Sequence, residues 1–190
     1  MKFKILLFTF CFLFVSNNSY AESLNNKLKK GEIIIEDTVD EKSKSGTAKM
    51  TFFVNDTPER IWKLLLEYDR WTSFMPDLEK IIIKEKKENY AVVYVKAKAP
   101  LGMDISYTLR RIYKKADYKI TWTMVEGNAK EIEGSWQIFP IDSKKCKIIY
   151  TNYVDLGFMI PAKITNMLTK NKLPNLAEGI RGYLKKNKSF

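Results

Sequence analysis

The sequence contains no histidine. Histidine is the commonest general base and a frequent zinc ligand, so its absence excludes Ser-His-Asp and Cys-His nucleophile systems and the usual zinc sites. Any catalysis would have to depend on carboxylates, tyrosine or lysine. We therefore predict no metal site and no cofactor, and we expect binding rather than catalysis.

The chain also has few cysteines, and one of them lies in a segment typical of export signals. Lys2 and Lys4 precede an apolar run, Ile5–Val15, which is too short to span a bilayer because a spanning helix needs about 20 residues. Small residues follow at Ser19 and Ala21. We predict a signal peptide over residues 1–21, cleaved after Ala21, and a periplasmic or secreted protein; an uncleaved anchor is the alternative.

Removal of such a signal would also remove Cys11 and leave Cys146 as the single cysteine. An internal disulfide is then excluded, although an oxidising compartment would permit one. We expect Cys146 to be a small buried core residue, and the alternative is a reactive or dimer-linking thiol.

The formal net charge is +11, and most lysines lie in turns between the predicted strands. Two interpretations remain open: a solvated surface, or transient contact with an anionic membrane surface. Nucleic acid is not expected as a partner of an exported protein.

Most of the chain after residue 77 alternates apolar and polar residues with a period of two, which is typical of an antiparallel meander. Two earlier strands are predicted at Glu32–Thr38 and Ala48–Val54. The six strands of the meander are predicted at Leu78–Glu85, Tyr90–Ala99, Met103–Tyr113, Tyr118–Met124, Glu131–Phe139 and Cys146–Leu156. The alternation predicts one buried face and one wet face.

Three helical segments complete the pattern. Pro58 follows the capping candidates Asp56 and Thr57, which predicts a helix start, and a second short helix is predicted over Asp69–Phe74. A long C-terminal helix is predicted from Pro161 onward, with an apolar stripe and a kink near Thr169–Lys170 caused by Pro174. Its stripe should pack on the buried face of the sheet.

This order of elements resembles the START-like (SRPBCC, helix-grip) superfamily, and within it the bacterial polyketide cyclase/dehydrase and coenzyme Q-binding START-domain proteins. The resemblance covers Gly46–Lys186. The segments that carry it are Asn55–Trp62, Tyr68–Pro76, Ile105–Leu109, Trp122–Gly127, Glu133–Trp136 and the Leu173–Pro174 step. It implies an α+β fold in which a curved antiparallel sheet wraps around the C-terminal helix. It also implies a cavity for a lipid, sterol, quinone or polyketide.

These considerations divide the chain into a signal peptide (1–21), an N-terminal arm with an extra strand (22–45) and a START-like domain (46–188). The expected ligand is a hydrophobic small molecule or lipid. The side chains predicted to contact it are Trp71, Phe74, Met75, Ile105, Tyr107, Trp122, Trp136, Tyr150, Asn152, Ile164, Met167 and Leu168.

Ordinary core packing is the alternative for each of these residues. Buried Trp N–H and Tyr O–H groups need partners, so the aromatic tips could orient the polar end of a ligand. Asn152 is predicted to point inward, where an unpaired amide costs about 1–3 kcal/mol. It could bind a ligand head group, a water or a backbone edge.

Three functions fit this pattern. The first is a carrier of a hydrophobic ligand. The second is a cyclase- or dehydrase-type enzyme, whose candidate catalytic groups are Tyr107, Tyr150 and Lys or Glu residues at the cavity mouth. The third is an interaction module whose inner face is completely filled by side chains. The size of the space between sheet and helix would distinguish them.

Overall fold

The computed structural model describes residues 22–40, 45–75, 77–98, 104–157 and 168–188. The predicted signal peptide and the first part of the predicted C-terminal helix, with Ile164 and Met167, lie outside these residues. Within the described ranges, no helix combines the length and the apolar character needed to cross a membrane.

The core of the fold is one eight-stranded sheet in which all neighbours are antiparallel, in the order β1-β2-β8-β7-β6-β5-β4-β3. The strands are β1 Ile34–Asp40, β2 Ser45–Val54, β3 Leu78–Lys86, β4 Tyr90–Lys98, β5 Asp104–Lys114, β6 Lys119–Gly127, β7 Glu131–Asp142 and β8 Lys145–Asp155. The predicted α+β helix-grip architecture is confirmed. Several predicted strand ends were wrong: β1 is Ile34–Asp40 rather than Glu32–Thr38, and β7 continues to Asp142 rather than Phe139. Tyr118 does not begin β6 but terminates a 3-10 turn with φ 47°.

Helix α1 covers residues 22–29 and precedes β1. Two short helices connect β2 to β3, and the first of them, α2, spans Pro58–Leu66. The side chain of Thr57 caps α2 by accepting from the Arg60 amide, as its position before Pro58 predicted. The second short helix is a 3-10 helix, Tyr68–Ser73, rather than an α-helix.

The C-terminal helix, α3, spans Leu173–Lys186 and follows a π-helical turn at Leu168–Lys172. Pro174 lacks an amide donor and its ring clashes one turn back, near Lys170. The irregular turn therefore lies where the proline predicted a kink.

Helix α3 packs closely on the segment that follows α2. Ala177, Ile180 and Leu184 are buried on its inner face. Gly179 permits the contact because a Cβ there would lie 2.4 Å from the carbonyl oxygen of Phe74. The helix is thus seated against the same segment that contributes aromatic residues to the interior.

The extra N-terminal strand, which the sequence left without a role, is β1. It pairs antiparallel with β2 over its whole length, from Ile34 opposite Thr51 to Asp40 opposite Ser45. It therefore forms one edge of the sheet, and β3 forms the other.

Candidate functional site

The inner face of β5 carries an arginine. Tyr107, Leu109, Arg111 and Tyr113 alternate with outward residues such as Arg110, and Arg111 is only 1% exposed. An arginine remains protonated in a protein interior, so this face carries a buried positive charge.

Aromatic rings surround the guanidinium of Arg111. Its carbon lies 4.5 Å from the ring centroid of Trp71, 5.1 Å from that of Tyr68 and 5.4 Å from that of Trp122. These cation–π contacts partly compensate for lost hydration. The rings come from the 3-10 helix and from β6, so two separate elements enclose the charge.

The hydrogen bonds of Arg111 are incomplete. Nη1 donates a long bond of 3.4 Å to the carbonyl of Leu65, whereas Nε and Nη2 have no partner among the described residues. The indole N–H of Trp71 is also buried without a described partner. Unpaired buried donors are costly, and a charged donor is the costliest case.

Asn152 lies on the inner face of β8, and its amide oxygen accepts the indole N–H of Trp122 at 3.2 Å. The sequence left ligand, water and backbone open as partners, and the observed partner is a side chain. The pairing holds Trp122 in position next to Arg111, so Asn152 positions the ring.

Close approach of Trp122 to β7 requires a glycine. Trp122 is opposite Gly134 in the strand register, and a Cβ at Gly134 would lie 2.5 Å from the indole. On β7 the next inward residue is Trp136, only 2% exposed, whose ring centroid lies 4.4 Å from that of Tyr150. Trp136 therefore packs as a core residue behind Tyr150.

Two inner tyrosines remain protonated. Burial raises the pKa of Tyr107 to about 12, and burial together with Tyr107 raises the pKa of Tyr150; the charge of Arg111 opposes both effects. Each side chain nevertheless keeps some accessible surface. The two rings are therefore not completely covered by the described core, and their hydroxyls are available as donors.

The other predicted residues are less central. Phe74 is buried, but its ring packs on Tyr183 of α3, with centroids 5.8 Å apart. Met75 and Ile105 are half-buried. The backbone of Leu168 belongs to the π-helical turn, and its side chain is outside the described part of the chain.

The structure therefore brings Trp71, Tyr107, Trp122, Tyr150 and Asn152 towards one region. The charge of Arg111 at its centre was not predicted from the sequence. The buried hydroxyl pair of Tyr68 and Tyr113 was not predicted either. The alternation of Tyr107 and Leu109 extends to Arg111 and Tyr113, and that continuation was the available signal.

The site can hold an oxygen-bearing ligand but offers little to a metal. Across the described ranges, no three Cys, Asp or Glu side chains are grouped as metal ligands. The donors of Arg111 and Trp71 could bind an acceptor oxygen, and the rings around them could contact apolar groups.

Sequence comparison identifies one family. The family model described as "Polyketide cyclase / dehydrase and lipid transport" matches residues 54–181, from the end of β2 to α3. A search of curated proteins gives no significant match.

Solved structures with the same fold have little sequence in common with this chain. A STAR-related lipid transfer protein from Xanthomonas axonopodis is 17% identical, with a TM-score of 0.67 over 80% of this chain and 93% of its own. The Zhui aromatase/cyclase from Streptomyces is 17% identical, with a TM-score of 0.63 over 83% and 97%. Human STARD10 is 16% identical, with a TM-score of 0.65 over 82% and 72%.

Proposed function

We propose that this chain, which belongs to the polyketide cyclase/dehydrase and lipid transport family, binds an amphipathic hydrophobic ligand between its sheet and its C-terminal helix. The names of its structural neighbours, a lipid transfer protein and an aromatase/cyclase, support a hydrophobic ligand. The hydrogen-bond donors of the interior indicate which polar head group the ligand carries.

The observation that carries the proposal is the buried guanidinium of Arg111. Its Nε and Nη2 donors, with the Trp71 indole N–H, find no acceptor among the described residues. A ligand with a carboxylate or a comparable oxygen head would supply the acceptor. Its apolar body would contact the rings of Trp71 and Trp122.

Such a ligand would exchange with membranes rather than remain trapped. Burial of a methylene group in the protein gains about 0.8 kcal/mol relative to water, and a bilayer offers nearly the same gain. The apolar body of the ligand therefore contributes little to the free-energy difference between the protein-bound and the bilayer-bound ligand. This balance suits a carrier.

The direct test is extraction of the natively purified protein with organic solvent, followed by mass spectrometry. We expect a lipid, quinone or fatty acid in a near-stoichiometric amount. Protein stripped of lipid should then take up a fluorescent fatty acid. An empty extract combined with no uptake of the probe would reject the carrier.

A second function is favoured by Tyr107 and Tyr150. Burial raises the pKa of both phenols and the charge of Arg111 opposes that rise, so each hydroxyl is a neutral hydrogen-bond donor within the electrostatic field of a cation. This arrangement could stabilise an enolate in a cyclase- or dehydrase-type reaction. Turnover of a polyketide-like substrate that is lost in Tyr107→Phe and Tyr150→Phe would favour catalysis over carriage.

We propose that the protein acts outside the cytoplasm. The basic start at Lys2 and Lys4, the short apolar run and the small residues before Ala21 support export. A periplasmic or secreted carrier would meet its ligand at membrane surfaces.

A further inference from the structure

A second concave region lies at one end of the molecule, away from the interior site. It has a volume of about 800 Å³ and is bounded by α1, the end of β2, the start of α2, the turn between β7 and β8, and α3. None of the residues predicted to bind the hydrophobic ligand lines it. We call it the basic groove.

The groove is strongly cationic. Seven Lys and Arg side chains line it, whereas Asp56 is the one acid among its described lining residues. Asp56 is itself buried and paired with Arg60 at 3.1 Å. The acid therefore does little to offset the remaining positive charge.

The two arginines of the groove serve the fold. Arg60 donates to the carbonyl of Leu184 in addition to its contact with Asp56. Arg181 donates to the carbonyl of Phe53 at 2.9 Å and contacts Glu178 at 2.6 Å. They join α3 to the rest of the protein.

The five lysines that line the basic groove do not join elements of the fold as the two arginines do. Within the described part of the chain none of them forms an ion pair, although Lys145 lies 4.8 Å over the ring of Phe53. They are Lys29, Lys144, Lys145, Lys185 and Lys188. On the outer face of the sheet, by contrast, Lys49 and Lys96 are each within 3 Å of a glutamate oxygen.

We propose that the basic groove is a docking site for the phosphate-bearing head groups of an anionic phospholipid bilayer. Flexible lysines bind as point charges without fixed geometry, which suits the mobile phosphates of a membrane surface. Attraction of this kind contributes per lysine and weakens within a Debye length. The inference goes beyond the proposed ligand binding and does not depend on it.

The test is sedimentation of the protein with vesicles of phosphatidylcholine alone or with added phosphatidylglycerol. We expect binding only to the anionic vesicles, with a decrease as salt is raised. Lys144 and Lys185 are exposed and belong to different elements. The double variant Lys144→Gln/Lys185→Gln should therefore fold normally and bind at least about tenfold more weakly.

The matched control is Lys80→Gln/Lys86→Gln, which removes two exposed lysines from β3, the opposite edge strand. It should bind like the unmodified protein. Equal weakening by both variants, or equal binding to neutral and anionic vesicles, would overturn the proposal. Stabilisation of the protein by glycerol phosphate without vesicle binding would do so as well, because it would identify a soluble anion as the occupant.

Discussion

The guanidinium of Arg111 lies 4.5 Å from the ring of Trp71, and both side chains carry buried donors that no described residue satisfies. Arg111 comes from β5 of the sheet, and Trp71 comes from the 3-10 helix after α2. An interior with surplus donors is complete only when an acceptor is added. This relationship makes the preference for an oxygen-bearing ligand testable.

Arg111→Met should separate binding from stability. The substitution removes a buried, incompletely bonded charge, so the free energy of unfolding should stay unchanged or rise by about 1–2 kcal/mol. Affinity for a fatty acid should fall at least about tenfold, while affinity for the fatty alcohol of the same length changes little. Urea unfolding and fluorescent-probe titration measure the two effects.

The neighbouring Arg110→Met is the control for this experiment. Arg110 points outward, with its guanidinium 4.3 Å from the ring centroid of Tyr90. Its loss should leave fatty-acid binding intact. Equal loss of acid and alcohol affinity in Arg111→Met would mean that Arg111 shapes the cavity and does not recognise a charge.

Gly179 and Gly182, both on α3, allow a matched test of how closely this helix packs on its neighbours. In Gly179→Ala the new Cβ would meet the Phe74 carbonyl, so we expect a loss of about 1–3 kcal/mol in the free energy of unfolding. Gly182→Ala meets nothing within 4 Å and should stabilise the protein by about 0.5–1 kcal/mol. Denaturant unfolding of both variants checks the contrast; effects of the same sign would contradict the close contact.

Alkaline pH should destabilise the protein in part through Tyr107. Its pKa is raised to about 12, so between pH 10 and pH 12 the folded state binds a proton that the unfolded state has released. Stability therefore falls as pH rises through this range. In Tyr107→Phe the fall should be smaller by about 2 kcal/mol. Unfolding curves at several pH values measure the difference, and parallel pH profiles would contradict the prediction.

Ligand exchange should depend on Pro174. The π-helical turn at Leu168–Lys172 directly precedes the α3 turn that contains this proline. Pro174→Ala restores a backbone donor, and we expect it to regularise the turn and slow the release of a bound probe severalfold. Stopped-flow transfer to acceptor vesicles gives the rate. An unchanged rate would remove any gating role for this turn.

Export predicts a defined mature N-terminus. Expression of the full chain in a Gram-negative host should yield periplasmic protein that begins at Glu22. Edman sequencing of the soluble fraction identifies the first residue. Protein that stays in the membrane fraction with residues 1–21 attached would instead support the uncleaved anchor.

Much of the fold was predictable because the sheet has one dry and one wet face. Ile120 and Trp122 on β6 and Ile148 on β8 are buried as the alternation indicated. The start of β6 was wrong because its pattern does not reveal that Tyr118 adopts a left-handed conformation to leave the 3-10 turn. The turn is closed by the Tyr118 amide, which donates to the carbonyl of Lys115, and a period-two pattern carries no information on such a bond.

The site was less predictable than the fold. Trp71, Trp122 and Asn152 were predicted to line the site because large or amide side chains on a buried face are conspicuous, and the structure places them near one another. Arg111 was not, since a cation is normally assigned to the wet face, even though the alternation that places Arg110 outward also places Arg111 inward. Only the register of β5 distinguishes the two arginines, and a shift of one residue would exchange them.

The pairing of β1 with β2 also has a consequence for self-association. A strand edge with free amides and carbonyls invites a second chain to add to it, and acidic side chains discourage such addition. Glu36 and Asp37 supply two exposed acids on β1. Strand β1, which covers this edge of the sheet, lies before residue 54, where the family match begins. A fragment trimmed to residues 46–188 would expose β2 and be prone to aggregate.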